Sequence, residues 1–226
     1  MRAIVVKISG SLIYPPRLEY VAELRRIISE IHESGMRLAI VVGGGPIARE
    51  YINVLRGLDI NQSLQDLLGI KVSRLNARLL ASLLYPRSPL EIPSNVEAVL
   101  EVYSRGQIPV VGGFEPGQST NAVSLLIAEA INAEKVINML NKVEGVYDKD
   151  PKLPGSRLLE RITLNDLEEI VSSYEQQAGR YTLIDHLAVK IARRSRIPIH
   201  FIDGSDPSNL LKALRGERIG TIVEPD

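Results

Sequence analysis

The stretch Leu38-Ala39-Ile40-Val41-Val42-Gly43-Gly44-Gly45-Pro46 decides the fold. Its five consecutive apolar residues, with no polar residue alternating among them, read as a strand buried on both faces. Three glycines then let the backbone turn through conformations closed to other residues. Pro46 suits the first turn of a helix, where its missing N–H is no loss, and that helix runs to about Leu55. A doubly buried strand feeding a helix is the repeating unit of a parallel sheet.

The same pattern extends in both directions. Upstream, Ala3–Val6 is an apolar run, and Leu18, Val21, Leu24, Ile28 and Ile31 recur at helical spacing until Gly35 can close the helix. Downstream, the reading gives a helix over Arg74–Tyr85 with Leu75, Leu79, Leu80 and Leu83 on its apolar side. A strand at Ile108–Val111 and a helix from Thr120 to about Ile131 follow. A strand at Val136–Leu140 leads into a polar loop, Asn141–Arg157. Thr163 and Asp166 have the spacing of a capping box opening a helix to about Ser172. Leu183–Ser195 is helical and Ile197–Ile202 a strand. Asp206, Pro207 and Gly216 bracket the last helix as N-cap, N1 and C′, and Thr221–Val223 adds a short strand. The predicted class is α/β, a mainly parallel central sheet sandwiched between helices. No repeat or linker-like shift interrupts it, so residues 1–226 read as one domain, with room for two lobes.

Composition narrows the function. With 27 Lys+Arg against 27 Asp+Glu, the net charge of +0 supplies no field for a phosphate backbone, which argues against nucleic-acid binding. The absence of cysteine removes thiolate nucleophiles, disulfides and cysteine-bound metal, and His32, His186 and His200 show no metal-ligand spacing. No apolar run is long enough to cross a membrane, and the N-terminal run is too short for a signal peptide. The expectation is a cytoplasmic globular protein with no protein-built metal site.

Ligands of open parallel sheets bind beyond the carboxyl ends of the strands. Three such ends carry small residues: Lys7-Ile8-Ser9-Gly10-Ser11, Gly43-Gly44-Gly45, and Gly112-Gly113-Phe114-Glu115-Pro116-Gly117-Gln118-Ser119-Thr120. Helix N-termini after such turns offer free N–H groups and a positive dipole end, which suit phosphate. Single glycine turns often serve sterics alone; three on one edge favour phosphate. Neither a Walker-type loop nor G-x-G-x-x-G occurs in these turns. Lys7, closing an apolar strand, is placed to touch a transferring phosphoryl group, the alternative being a lysine snorkelling at the sheet edge. Arg49 could reach phosphate or simply face solvent. Asp66 either accepts a ribose hydroxyl or caps a helix. Asp148 and Asp150 have the pattern of turn acids, Asp185 that of a helix cap, and Arg193, Arg194 and Arg196 that of a solvated helix end.

These segments, with Gly145-Val146-Tyr147-Asp148-Lys149-Asp150-Pro151, resemble the amino acid kinase superfamily. Asp66-Leu67-Leu68-Gly69-Ile70, Ser73-Arg74-Leu75-Asn76-Ala77, and Gln177-Ala178-Gly179 followed by Leu183–Ile191 are similar to its archaeal uridylate (UMP) kinase branch. That resemblance implies transfer of the ATP γ-phosphoryl group to UMP, giving UDP in pyrimidine nucleotide synthesis, with Mg²⁺ carried by the nucleotide phosphates. It implies Lys7 and Asp185 as catalytic residues. Gly44, Asp66, Phe114, Glu115, Pro116, Gly117, Gln118, Ser119 and Thr120 would hold UMP. Lys7, Gly10, Ser11, Gly45, Arg49, Asn141, Tyr147 and Asp150 would face ATP. The acceptor side would be N-terminal and the ATP side C-terminal, in a homohexamer built as a trimer of dimers. One departure is Asn141, where the family has threonine. The competing readings are another kinase of the superfamily, acting on isopentenyl phosphate or an acylated amino acid, and a non-catalytic nucleotide-binding assembly.

Overall fold

β1 (Ala3–Ile8) lies at the centre of the molecule, and its register sets up both layers around it. It pairs in parallel with β2 (Arg37–Val42) on one side and β4 (Lys135–Leu140) on the other, so that Lys7 stands between Val41 and Asn138. The computed structural model describes residues 2–176 and 183–226 of the chain. Its seven strands form one sheet in the order β3-β2-β1-β4-β6-β7-β5. β3 is Val110–Val111, β5 Arg161–Thr163, β6 Ile199–Asp203 and β7 Thr221–Glu224. Among the strand pairs of the described residues, β6–β7 is the antiparallel one.

Because successive side chains of a strand point to opposite faces, β1 feeds two cores. Ile4, Val6 and Ile8 pack with α2 (Leu18–Glu33), α4 (Gln62–Leu84) and α9 (Asn209–Arg215) through residues such as Leu24, Ile28, Leu80 and Leu210. Ala3 and Val5 pack with α6 (Thr120–Ala130), α7 (Leu164–Gln176) and α8 (His186–Ser195) through Val123, Ile127, Leu167 and Val189. Lys7 shares the parity of Val5 and therefore faces the α6 side. Leu24 is wholly buried, and its truncation to alanine would cost about 2–5 kcal/mol in transfer and cavity terms.

The α/β sandwich is as the sequence predicts, with differences at particular elements. α4 begins at Gln62, twelve residues before the expected Arg74, because the Asn61 side chain accepts the Leu64 N–H and caps it. Its apolar side also differs: Leu80 is buried, but Leu75 is 67% and Leu79 39% exposed. The inward face carries Ser73, Asn76, Ala77 and Ala81 instead, small or polar residues that admit close approach of the glycine turns. α3 (Gly45–Gly57) starts with Gly45, so Pro46 takes the second helical position. Asp206 does not cap α9. Its carboxylate accepts from the Ser208 N–H and hydroxyl in a preceding turn, and the helix starts at Asn209. Gly35 and Gly216 close their helices with φ of 86° and 79°, as read. Thr163 and Asp166 exchange the reciprocal hydrogen bonds of the capping box. α1 (Gly10–Ile13) and β5 are too short to show a period, and α5 (Val96–Ser104), with Val96, Val99, Leu100 and Tyr103 at helical spacing behind the Asn95 cap, adds a helix absent from the sequence reading. Gln177-Ala178-Gly179 lies outside the described residues.

Candidate active site

A cleft of about 1070 Å³ opens at the carboxyl ends of β1, β2 and β4. Its floor is built where two turns cross. Gly10 opens α1 directly after β1, and Gly43-Gly44-Gly45 leads from β2 into α3. The two turns touch so closely that a Cβ on Gly10 would lie 2.2 Å from the Gly43 carbonyl oxygen and 2.3 Å from the Gly45 nitrogen. Gly45 also has φ +69°, a conformation side chains rarely adopt. Glycine is thus required by packing at both positions, and the same packing exposes backbone to the cleft. Gly112 is steric only. Its Cβ would meet the Arg74 nitrogen at 2.6 Å, and it does not line the cleft, whereas Gly113 does.

Lys7 lines this floor, only 8% exposed, and among the described residues its ammonium has no hydrogen bond or ion pair. Burial pushes its pKa down from 10.5 to about 8, the Asp185 carboxylate acting in the opposite direction. A buried, unpaired cation is costly in a ligand-free protein. It becomes favourable when an anion supplies the missing partner.

One side of the cleft is organised by α4. Asp66 is not the cap, since Asn61 is. Its Oδ2 accepts the Gly117 N–H at 2.9 Å and its Oδ1 accepts the Gln62 side chain at 2.9 Å, with lone pairs left toward the cleft. Gln118, Ser119 and Thr120 line the cleft with it, and the buried Gln118 Oε1 has no hydrogen-bond partner among the described residues. Ser119 caps α6, accepting from Asn121 and Ala122, and donates to the Asp185 carboxylate. Asp185 itself stays off the cleft wall: it caps α8 by accepting the Ala188 N–H at 3.1 Å. Its links to the cleft are the hydrogen bond from Ser119 and its field on Lys7. Phe114 is buried in the α6-side core, and Glu115, Pro116 and Gly117 stand behind the cleft rather than on it.

Ser11, Arg49, Asn141 and Asp150 also line the cleft. Asn141 Oδ1 accepts from Ser205 at 3.4 Å, and Asp150 Oδ1 accepts the Lys152 N–H at 2.9 Å. Asp148 is occupied in a turn, accepting the Arg157 N–H. Tyr147 does not line the cleft. Its hydroxyl donates to Glu144, and burial with that carboxylate pushes its pKa up to about 12. Arg193 and Arg194 make ion pairs to Glu168 and Glu129 on neighbouring helices, more than a solvated helix end requires.

The sequence reading overlooked several cleft residues. Lys152 adds a third cation, signalled only by its position beside the Asp150-Pro151 turn. Ser73 and Asn76 hold the glycine turns from behind. The Ser73 hydroxyl accepts the Gly113 N–H, and the Asn76 amide donates to both Gly43 and Gly44 carbonyls. Nothing in their spacing marks them off from an ordinary helix face. Among the described residues no three His, Asp or Glu side chains gather where they could hold a metal ion, and no helix is long and apolar enough to cross a membrane.

Comparison with known proteins gives a consistent result. The profile of the Amino acid kinase family matches residues 2–203. The chain is 53% identical to the uridylate kinase of Aeropyrum pernix over 225 residues, covering 99% of this chain and 100% of that one. It is 42% identical to the uridylate kinase of Hyperthermus butylicus, covering 97% of each. The crystal structure of uridylate kinase from Archaeoglobus fulgidus superposes with a TM-score of 0.87 at 36% identity, covering 99% of this chain and 100% of that one. The UMP kinase of Bacillus anthracis, at 21% identity and a TM-score of 0.81, shares the fold.

Proposed function

The chain belongs to the amino acid kinase family, and on that premise we propose that it transfers the γ-phosphoryl group of ATP to the phosphate of UMP, giving UDP and ADP. The observation that carries this reading is Lys7, a buried ammonium, unpartnered among the described residues, between two glycine turns whose backbone faces the same cleft. Phosphoryl transfer demands alignment and charge neutralisation more than covalent chemistry. The acceptor phosphate is already ionised and needs no strong base, and among the described residues lining the cleft there is no histidine.

In this reading UMP lies against Asp66, Gly44 and the Gln118–Thr120 turn, its ribose hydroxyls donating to Asp66 and an N–H of its base to Gln118 Oε1. ATP lies along Gly10, Ser11, Gly45, Arg49, Asn141 and Asp150, with Lys152 at its outer edge. Lys7 bridges the two and neutralises charge on the transferring group, while Asp185 holds Ser119 in place. Magnesium, carried by the nucleotide phosphates, would supply further charge neutralisation. Residues 1–226 act as one domain, acceptor side N-terminal and donor side C-terminal, in the cytoplasm.

The chain self-associates in the same proposal, as a homohexamer built from dimers. Support comes from the outer surface of the packed α3–α4 pair, where Tyr51, Val54, Leu58, Leu64, Leu67 and Leu75 are exposed. Sedimentation velocity would show a species of six chains; a monomer at micromolar concentration would overturn it. The activity is tested by ATP-dependent ADP release with a panel of acceptors: UMP, CMP, isopentenyl phosphate, carbamate and N-acetylglutamate. UMP should give the highest kcat/KM, and a preference for isopentenyl phosphate or an acylated amino acid would replace the reading. Nucleotide binding without turnover of any acceptor would favour a non-catalytic assembly.

A further inference from the structure

We propose that Asn76 is a positioning residue for phosphoryl transfer, a buried clamp that aims two backbone N–H groups at the phosphates. The proposal rests on the kinase reading above for the identity of those phosphates. Asn76 lies on the inward face of α4, 7% exposed, and does not line the cleft. Its side-chain nitrogen donates to the Gly43 carbonyl at 2.9 Å and to the Gly44 carbonyl at 3.1 Å. In a trans peptide the C=O and the following N–H point in opposite directions. Holding these two carbonyls toward α4 therefore turns the Gly44 and Gly45 N–H groups the other way. Gly44 and Gly45 line the cleft, and neither N–H has a hydrogen bond among the described residues. Successive N–H groups directed into one concavity make an anion-binding nest.

A second observation points to an anion at the same place. The buried Lys7 ammonium, unpaired among the described residues, lines the same floor. A glycine turn also needs an external restraint, because glycine loses more backbone freedom on ordering than any other residue. Gly10, packed against the turn from one side, leaves it no room to shift toward α1. Asn76 fixes its rotation from the other side. The residue type is specific: a primary amide offers two N–H donors on one nitrogen, serine offers one donor, and aspartate offers none when ionised. A donor clamp on consecutive carbonyls therefore selects asparagine at this point of the helix.

The test compares the intact chain with Asn76→Leu, which keeps the volume and removes both donors. Calorimetry with ATP and with adenosine isolates the phosphate contribution to binding. The ratio of ATP to adenosine affinity should fall by roughly tenfold or more, as expected for losing aligned donors to a charged group. Adenosine affinity should stay unchanged. With UMP as acceptor, kcat should fall on the order of 30- to 300-fold, and KM for UMP should rise as well, since the Gly44 N–H lies on the UMP side. An unchanged affinity ratio, or parallel losses of ATP and adenosine binding, would overturn the clamp, because a merely structural role would not single out the phosphates. Asn76→Ser, with one donor on a shorter side chain, gives an intermediate ratio under the proposal and is read the same way if the leucine variant does not fold. If the parent chain binds ATP but does not phosphorylate UMP, the kinase reading fails while the affinity ratio still judges the clamp.

Discussion

Replacing Lys7 with methionine should move stability and catalysis in opposite directions. The substitution keeps an unbranched side chain of similar length and removes the charge. In the ligand-free protein, burial depresses the Lys7 pKa from 10.5 to about 8 despite the nearby Asp185 carboxylate. Each unit of depression corresponds to 1.36 kcal/mol of preference for the neutral form. Keeping the ammonium charged in the folded state at pH 7 therefore costs about 3 kcal/mol. The sign follows from proton linkage. The folded pKa lies below the unfolded one, so between pH 8 and 10.5 the unfolded chain binds more protons and stability rises with pH. Below pH 8 both states carry the proton and the penalty is constant. The ligand-free Lys7→Met variant should thus be about 3 kcal/mol more stable than the parent at pH 7, an advantage that shrinks as pH approaches 10.5. Its kcat with ATP, Mg²⁺ and UMP should fall on the order of 10²–10³, the usual loss for one preorganised electrostatic contact. Guanidinium denaturation at pH 7 and pH 10, paired with steady-state kinetics, measures both arms. A variant less stable than the parent at pH 7, or one keeping kcat within about tenfold, would refute the reasoning.

Three further outcomes follow from the same geometry. In the free enzyme, kcat/KM for ATP should decline as pH rises through about 8, because the deprotonated Lys7 amine no longer neutralises phosphate; a profile flat to pH 9.5 in Lys7-bearing protein would contradict this. Asp66→Ala should raise KM for UMP on the order of 10- to 100-fold with little change in KM for ATP, measured by varying each substrate at saturation of the other. Gly45→Ala should destabilise the chain by roughly 2 kcal/mol or more, since its Cβ would sit 2.5 Å from the Gly10 carbonyl carbon at φ +69°; an unchanged denaturation midpoint would show that the turn yields.

The sheet and its layers were legible because doubly buried strands announce themselves as apolar runs, and Ala3–Val6, Leu38–Val42 and Val136–Leu140 do so. The glycine turns were legible as the edge where a ligand sits. Elements that lack periodicity were not. α1 spans only Gly10–Ile13 and β5 only Arg161–Thr163, too short to show a period. The first three turns of α4 were hidden because their buried positions are Gln65, Ile70 and Val72 while Leu64 and Leu67 are exposed, so no apolar stripe at helical spacing marks them. Its leucines, read as core, include the exposed Leu75 and Leu79, because a helix seated on glycine turns must keep small residues inward and so carries large apolar ones outward. At the site, Lys7, Gly10, Gly44 and Gly45 were recognisable by residue type at a strand end, whereas Asp66 and Asp150, readable by type alone as a helix cap and a turn acid, entered only through the family resemblance. Lys152 and Asn76 were not recognisable, since a loop lysine and a helix asparagine gain meaning only from what the fold sets beside them. Asp185 was recognised, but its contact with Ser119 needs the juxtaposition of α6 and α8, which no local pattern carries.

The central claim is that this cleft joins a phosphoryl donor to the phosphate of UMP. Phosphorus NMR of the purified chain with ATP, Mg²⁺ and UMP tests it by identifying the product itself. The account predicts loss of the UMP monophosphate signal and growth of UDP and ADP resonances in equal amounts, at a rate proportional to enzyme and slowed on the order of 10²–10³ in Lys7→Met. Persistence of UMP, with ATP intact or consumed by another acceptor in the same mixture, would contradict it.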